Sequence, residues 1–171
     1  MGFLDDIDYD DLVILLKNES SAIEFAQIVG LIPRERLCTC GASMYMRSRT
    51  SGKNKGFYFR CSERSCRKEV SIKKDTFFEN SHLEISVILK IIYKFVVDEG
   101  NFENNKKNLK VKQDKTLVDW LEKCRNVCLD YFILNPTLIG GDGIIVEIDE
   151  CHLVKRKYHR GRLVNEIWIL G

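Results

Sequence analysis

Two pairs of cysteines have the residue type and spacing of a metal site. Cys38 and Cys40 form the first pair, with Gly41 directly after it, and Cys61 and Cys66 form the second. Thiolates are favoured zinc ligands, and four of them complete a tetrahedral shell. Cys-x-Cys and Cys-x4-Cys differ from the common Cys-x2-Cys spacing, so four unligated, partly buried thiols remain the alternative. The pattern favours structural zinc.

A second candidate for chemistry is the acidic end of the segment VEIDE. Residues 144–150 alternate with a period of two, which predicts a strand with Glu147 and Asp149 on one face. A carboxylate at a strand tip is held rigidly and stays open to a divalent cation and a substrate. The alternative is a solvent-facing acid at the end of an amphipathic strand.

Positive charge accompanies the cysteines. Residues 33–75 carry twelve Lys and Arg against four acids, a net of +8, whereas residues 1–32 have a net charge of −6. This asymmetry favours a polyanionic partner, and the alternative is a basic surface that only solvates the protein. The turn between the cysteine pairs supplies candidate phosphate contacts at Arg47, Arg49, Lys53 and Lys55, next to Tyr45, Phe57 and Tyr58. The three aromatic residues could equally form a small core of their own.

These side chains need elements that position them. The residues between the cysteine pairs predict a strand, a glycine-containing turn and a strand, and Gly41 permits a tight turn beside Cys40. Residues 8–31 predict packing helices, with a capping box at Ser21 and Glu24.

Helices are expected after the second cysteine pair. Residues 82–98 are apolar nearly all round, which indicates a buried helix, and Ser81 with Glu84 predicts a capping box at its start. Residues 101–113 are polar and indicate a short helix or a loop, and residues 116–134 predict a further helix. Three helices in this order are compatible with a helix-turn-helix, although purely structural helices explain the pattern as well.

The last part of the chain predicts a hairpin. The strand at 144–150 is followed by a basic loop and by an apolar run at 164–170, which indicates the second strand. The loop offers further candidate DNA contacts at Lys155, Arg156, Lys157, Arg160 and Arg162.

The words VEIDE, KRKYHRGR and WILG, in this order, resemble the start of the catalytic core of DDE transposases. More narrowly, they resemble the Merlin superfamily of DNA transposons and related bacterial insertion-sequence transposases. The resemblance implies a zinc ribbon, helices and an RNase H-like core that cuts and joins transposon-end DNA with Mg or Mn. Asp149 matches the first catalytic, metal-binding aspartate. The family's further acidic or amide ligands would lie after Gly171, so we expect no strand transfer from this chain alone.

The expected fold class is α+β, with four segments. N-terminal helices occupy residues 1–36, a zinc ribbon 37–74, a helical region, compatible with a helix-turn-helix, 75–138, and the first two strands of an incomplete RNase H-like core 139–171. The expected function is that of a transposase-derived DNA-binding protein. The alternative is a non-catalytic zinc-ribbon module that binds DNA or protein.

Composition limits the compartment and the partners. Hydrophobic residues make up 44% and charged residues 30%, as in folded domains. No apolar run is long enough for a membrane span, and the acidic N-terminus lacks the basic flank of a signal peptide. Seven cysteines without a secretory signal indicate a reducing compartment. We expect a nuclear protein in a eukaryote, a cytoplasmic one otherwise, and not a secreted one; homo-oligomerisation stays open.

Overall fold

The computed structural model describes residues 7–52, 56–97, 102–152 and 168–170, with backbone only at 150–152 and 168–170. The chain divides into two compact units, Met1–Cys128 and Leu129–Gly171. Within the described residues the fold contains five helices and an antiparallel four-stranded sheet, which confirms the α+β class. In this part of the chain no helix combines the length and apolar character needed to cross a bilayer.

The sheet of the first unit contains the predicted hairpin. Its strands are β1 (Arg36–Leu37), β2 (Ser43–Arg49), β3 (Gly56–Cys61) and β4 (Glu69–Ser71), and they pair in sequence order. The β2–β3 register runs from Met44 opposite Cys61 to Arg49 opposite Gly56. Since each neighbour is antiparallel and close in sequence, short turns suffice for all the connections.

Two helices precede the sheet where one helical stretch was predicted. They are α1 (Tyr9–Leu15) and α2 (Glu19–Ile28). The predicted capping box at Ser21 and Glu24 is wrong, because Asn18 is the N-cap of α2 and its side chain accepts a hydrogen bond from the Ser21 backbone N–H at 2.9 Å. Asn18 caps the helix from three residues earlier, so Ser21 lies inside the first turn instead of before it.

Three helices follow the sheet: α3 (Ile85–Val96), α4 (Phe102–Asn108) and α5 (Asp114–Leu134). The predicted capping box at Ser81 and Glu84 is also wrong, because α3 begins later and Glu84, its N-cap residue, makes no side-chain capping bond. The carboxylate of Glu19 on α2 takes this role. Its two oxygens accept hydrogen bonds from the backbone N–H groups of Ile85 at 2.8 Å and Ser86 at 3.1 Å.

A shared hydrophobic core joins the helices and the sheet of the first unit. Fully buried side chains come from the N-terminal helices, the sheet and the later helices alike: Leu16, Ile23, Ile32, Phe59, Phe78, Ile85, Ile88, Ile91 and Leu117. Phe77 makes an edge-to-face contact with Trp120 of α5, with ring centroids 5.5 Å apart. The boundaries of the four predicted segments stay a prediction.

The described residues of the second unit contain a shorter first strand than predicted. Strands β5 (Glu150–His152) and β6 (Trp168–Leu170) pair antiparallel, as the hairpin prediction required. The prediction of a strand over 144–150 is wrong except at its last residue, because residues 145–149 have no strand pairing. The register begins with Glu150 opposite Leu170, and the residues just before Glu150 have no partner strand in the described part of the chain. A strand without a partner lacks the hydrogen bonds that stabilise it.

Candidate metal centre

The ends of two strands bring the four cysteines together. Cys38 follows β1, and Cys61 is the last residue of β3. The Cys38–Cys40 turn is closed by the Cys38 N–H, which donates to the Ala42 carbonyl at 2.8 Å, and by the Gly41 N–H, which donates to the Cys38 carbonyl at 2.9 Å. Gly41 has a φ of +85°, in the left-handed region that favours glycine.

The second cysteine turn is held in a similar way. The Cys61 N–H donates to the Lys68 carbonyl at 2.9 Å, and the Cys66 N–H donates to the Glu63 carbonyl at 3.2 Å. The Glu63 carboxylate also accepts the backbone N–H of Ser65 at 3.1 Å. Both turns therefore have a defined backbone conformation that aims two sulfurs each at a common centre.

The sulfur atoms have the spacing of a four-thiolate metal site. The Cys38 and Cys66 Sγ atoms are 3.6 Å apart, and those of Cys40 and Cys61 are 3.5 Å apart. All four ligand atoms lie within 4.8 Å of one another. A tetrahedral site with metal–sulfur bonds of about 2.3 Å needs sulfurs roughly 3.8 Å apart. The predicted cluster of cysteines is thus confirmed as a site that could hold a metal ion.

Backbone amides and burial have opposite effects on the pKa values of the thiols in this cluster. The Cys40 backbone N–H, followed by smaller thiol contacts, lowers the pKa of Cys38 to about 6. Burial is the main cause that raises the pKa of Cys61 to about 12, although the Glu63 N–H opposes it. The Lys68 N–H lowers the pKa of Cys66, but hydrogen bonding among the thiols and burial raise it overall. For each of these three thiols, the backbone N–H of the residue two positions later acts to lower the pKa, and N–H groups placed in this way support thiolates around a cation.

The predicted basic contacts beside the cluster differ in their surroundings. Arg47 is exposed, whereas Arg49 pairs with Glu69 at 3.0 Å and lies 4.6 Å from the centroid of the Tyr58 ring. The hydrogen bond with Glu69 is the main cause that raises the pKa of Arg49. Lys53 and Lys55 lie outside the described residues, as do Lys155, Arg156, Lys157, Arg160 and Arg162.

The aromatic residues of the basic turn divide between the two faces of the sheet. Tyr58 lies opposite Arg47 in the β2–β3 register, while Phe57 lies opposite Ser48 and packs against the core. Arg60, which was not among the predicted contacts, lies opposite Tyr45. Side chains along a strand alternate between its two faces, so the sequence could have predicted that Arg60 lies on the same face as Tyr58, two residues away on β3.

Asp149 does not join a metal site in the described part of the chain. It is exposed and directly precedes β5. Among the described residues, the four cysteines are the only group of three or more His, Cys, Asp or Glu side chains close enough to share a metal ion. Comparisons of the chain with protein-family models, with curated proteins and with solved structures found no match.

Proposed function

We propose that the four cysteines hold a structural zinc ion and that the resulting zinc ribbon is a DNA-binding module of transposase-derived origin. The observation that carries the proposal is the four-cysteine cluster, with every sulfur within 4.8 Å of the others. Four thiolates and no exchangeable ligand suit a structural zinc site, because such a shell leaves no position for a substrate. The bound ion would link the Cys38–Cys40 turn to the Cys61–Cys66 turn, in addition to the short strands that connect them.

The local charge supports DNA as the partner. The segment that contains the cluster, residues 33–75, has a net charge of +8, although the whole chain has only +2. Positive charge concentrated in one segment attracts the phosphate backbone, and the release of counterions then makes binding strongly dependent on salt.

Metal analysis tests the zinc site. Protein purified under reducing conditions should contain about one zinc ion per chain, and Cys61→Ser should lose it together with the structure of the sheet. Cys128→Ser is the matched control, because Cys128 is an exposed thiol on α5 and outside the cluster. Absence of zinc from the parent protein, or equal zinc in both variants, would refute the assignment.

DNA binding is tested by the salt dependence of duplex affinity. Replacing Arg47, Arg49, Lys53 and Lys55 together by Ala should weaken binding and reduce the slope of log K against log salt by up to about 0.9 for each phosphate that the variant no longer neutralises. A control variant removes four exposed positive charges elsewhere in the same unit: Lys107, Lys112, Lys115 and Arg125. If the two variants have the same slope of log K against log salt, DNA binds to a part of the surface other than the basic turn.

The transposase resemblance adds Asp149 to the proposal as the first acid of a metal-dependent DNA-cleaving site. Its position directly before the paired strand β5 supports this role. Two-metal phosphoryl transfer needs acids from several elements around the cations, and no described group of three or more ligands includes Asp149. We therefore propose that this chain alone binds DNA without cleaving it.

A non-catalytic protein-binding module is the second candidate, and one observation favours it. The second unit exposes large apolar side chains, with Leu138 at 95%, Ile139 at 84% and Ile145 at 89%. Several large apolar side chains exposed in one short segment are typical of protein interfaces, including those between copies of one chain. A partner retained at high salt would support this candidate over DNA.

A further inference from the structure

One face of the four-stranded sheet carries tyrosines and arginines in alternation. Residues opposite each other in an antiparallel register share a face, so this face is defined by the pairs Tyr45–Arg60 and Arg47–Tyr58. Arg49, Glu69 and Ser71 extend it across β2 and β4. We call this set of seven residues the open face. The other face carries the buried side chains of Met44, Phe59 and Cys61.

An aromatic ring and a cation of the open face have no side-chain partners among the described residues. Tyr45 is 59% exposed, and Arg47 is exposed as well. Within the described ranges neither side chain makes a hydrogen bond, an ion pair or a ring contact. Tyr45 and Tyr58 are diagonal neighbours across β2 and β3, a relation that places residues roughly 7–8 Å apart.

The charge of the open face complements a polyanion. Three arginines face one acid, Glu69, which pairs with Arg49 at 3.0 Å and with Arg60 at 3.7 Å. Both pairs are at least one-third exposed, so a phosphate group can compete with Glu69 for either arginine. Arg47 has no such competitor among the described residues and is therefore the first candidate for a phosphate contact.

We propose that the open face binds single-stranded nucleic acid, with an unpaired base stacked on Tyr45 and a neighbouring phosphate held by Arg47. A tyrosine ring beside arginines is a stacking platform that any base can use, whereas the bases of a duplex already stack on one another. A cationic surface without exposed rings would fit duplex and single strand alike. This inference rests on the proposed function, since it specifies the form of nucleic acid that the ribbon recognises.

The test compares two probes on the full zinc-loaded chain. Fluorescence anisotropy measures the affinity for a labelled oligothymidine and for a labelled duplex of the same length at one salt concentration. The oligothymidine should bind more tightly. Tyr45→Ala should weaken that binding by roughly 5- to 150-fold, the range found for loss of one base–aromatic stack, while Tyr45→Phe should retain it.

Two charge variants test the same face independently of the ring. Arg47→Ala should lower the salt slope for the single strand by about 0.7, as expected when one phosphate is no longer neutralised. Glu69→Gln removes the only acid of the open face without changing its size, so it should tighten binding. Tyr131→Ala is the control, because Tyr131 is 62% exposed and lies in the other unit.

The outcomes separate this inference from the function on which it rests. Equal affinity for duplex and single strand, or equal effects of Tyr45→Ala and Tyr131→Ala, would overturn the inference and leave DNA binding intact. Failure to bind either probe would overturn both. A labelled oligouridine, added as a third probe, distinguishes RNA from DNA as the bound single strand. Tighter binding of either single strand than of the duplex supports the inference.

Discussion

Removing the carboxylate of Glu19 should destabilise the first unit. Glu19 belongs to α2, but its side chain stabilises the start of α3. Its oxygens accept the backbone N–H groups of Ile85 and Ser86 at 2.8 and 3.1 Å. Among the described residues no other side chain caps the first turn of α3, and the N-cap residue Glu84 makes no capping bond. Ile85 and Ser86 are both buried, so water cannot easily replace the missing acceptor.

The size of the effect follows from these two hydrogen bonds. Loss of a side-chain N-cap typically costs about 0.5–2 kcal/mol, and a hydrogen bond to a charged group is worth about 1.5–3 kcal/mol. Because the carboxylate is partly exposed and the two bonds share it, we expect Glu19→Ala to lower the free energy of unfolding by about 2–3 kcal/mol. That corresponds to a fall in Tm of roughly 10 °C. Glu19→Gln, which keeps one carbonyl oxygen, should lose about half as much.

The assay is denaturation of the zinc-loaded protein, with Glu24→Ala as the matched control. Glu24 is an exposed acid on the same helix, and its side chain makes no hydrogen bond or ion pair within the described residues. Amide hydrogen exchange at Ile85 and Ser86 gives a local readout, and Glu19→Ala should speed it. If Glu19→Ala and Glu24→Ala unfold at the same temperature, the Glu19 carboxylate does not stabilise the start of α3 and the reasoning fails.

Four further results are expected. Phe78→Ala should cost about 3–5 kcal/mol in chemical denaturation, because the Phe78 ring is fully buried; a decrease below about 1 kcal/mol would contradict its place in the core. Gly41→Ala should reduce zinc retention against a chelator, since a φ of +85° costs an L-residue about 1–2 kcal/mol; unchanged retention would mean that the turn adapts. Hydrogen bonding with Lys74 is the main cause that lowers the pKa of Glu79 in the folded protein. The Glu79 carboxylate therefore stabilises the fold at pH values above its unfolded pKa near 4.5, and this stabilisation is lost as the pH falls through its lower, folded pKa. Glu79→Gln should therefore flatten the acid side of a stability–pH curve, and an unchanged curve would exclude this pair as its source. A nuclease and strand-transfer assay with Mg or Mn should find the parent chain and Asp149→Ala equally inactive, whereas cleavage that depends on Asp149 would show that a complete site exists.

The four-cysteine cluster could be predicted from the sequence because its geometry is local. A short hairpin between two cysteine pairs forces the pairs to the same end of the sheet, and Gly41 allows the turn beside the first pair. Alternation likewise determines which residues share a face once the register is known. The register itself came from pairing across strands, and it placed Arg60 opposite Tyr45 and Tyr58 opposite Arg47.

Contacts between distant parts of the chain could not be predicted in the same way. A capping box is a pattern within a few residues, so the sequence suggested Ser81 and Glu84 at the start of α3. The packing of α2 against α3 brings Glu19 to that position from 66 residues away, and no local pattern encodes this meeting.

Residues 144–149 illustrate the same limit for strands. Their apolar alternation is a sequence property and predicts which side chains would share a face, but it does not supply a partner strand. The β5–β6 register begins only at Glu150, and residues 145–149 are not part of a strand. The sequence by itself determined the residue types, the turns and the local periodicity of this protein. The tertiary structure decided which helix end Glu19 caps and which strands pair, because hydrogen bonds between distant segments depend on how the whole chain packs.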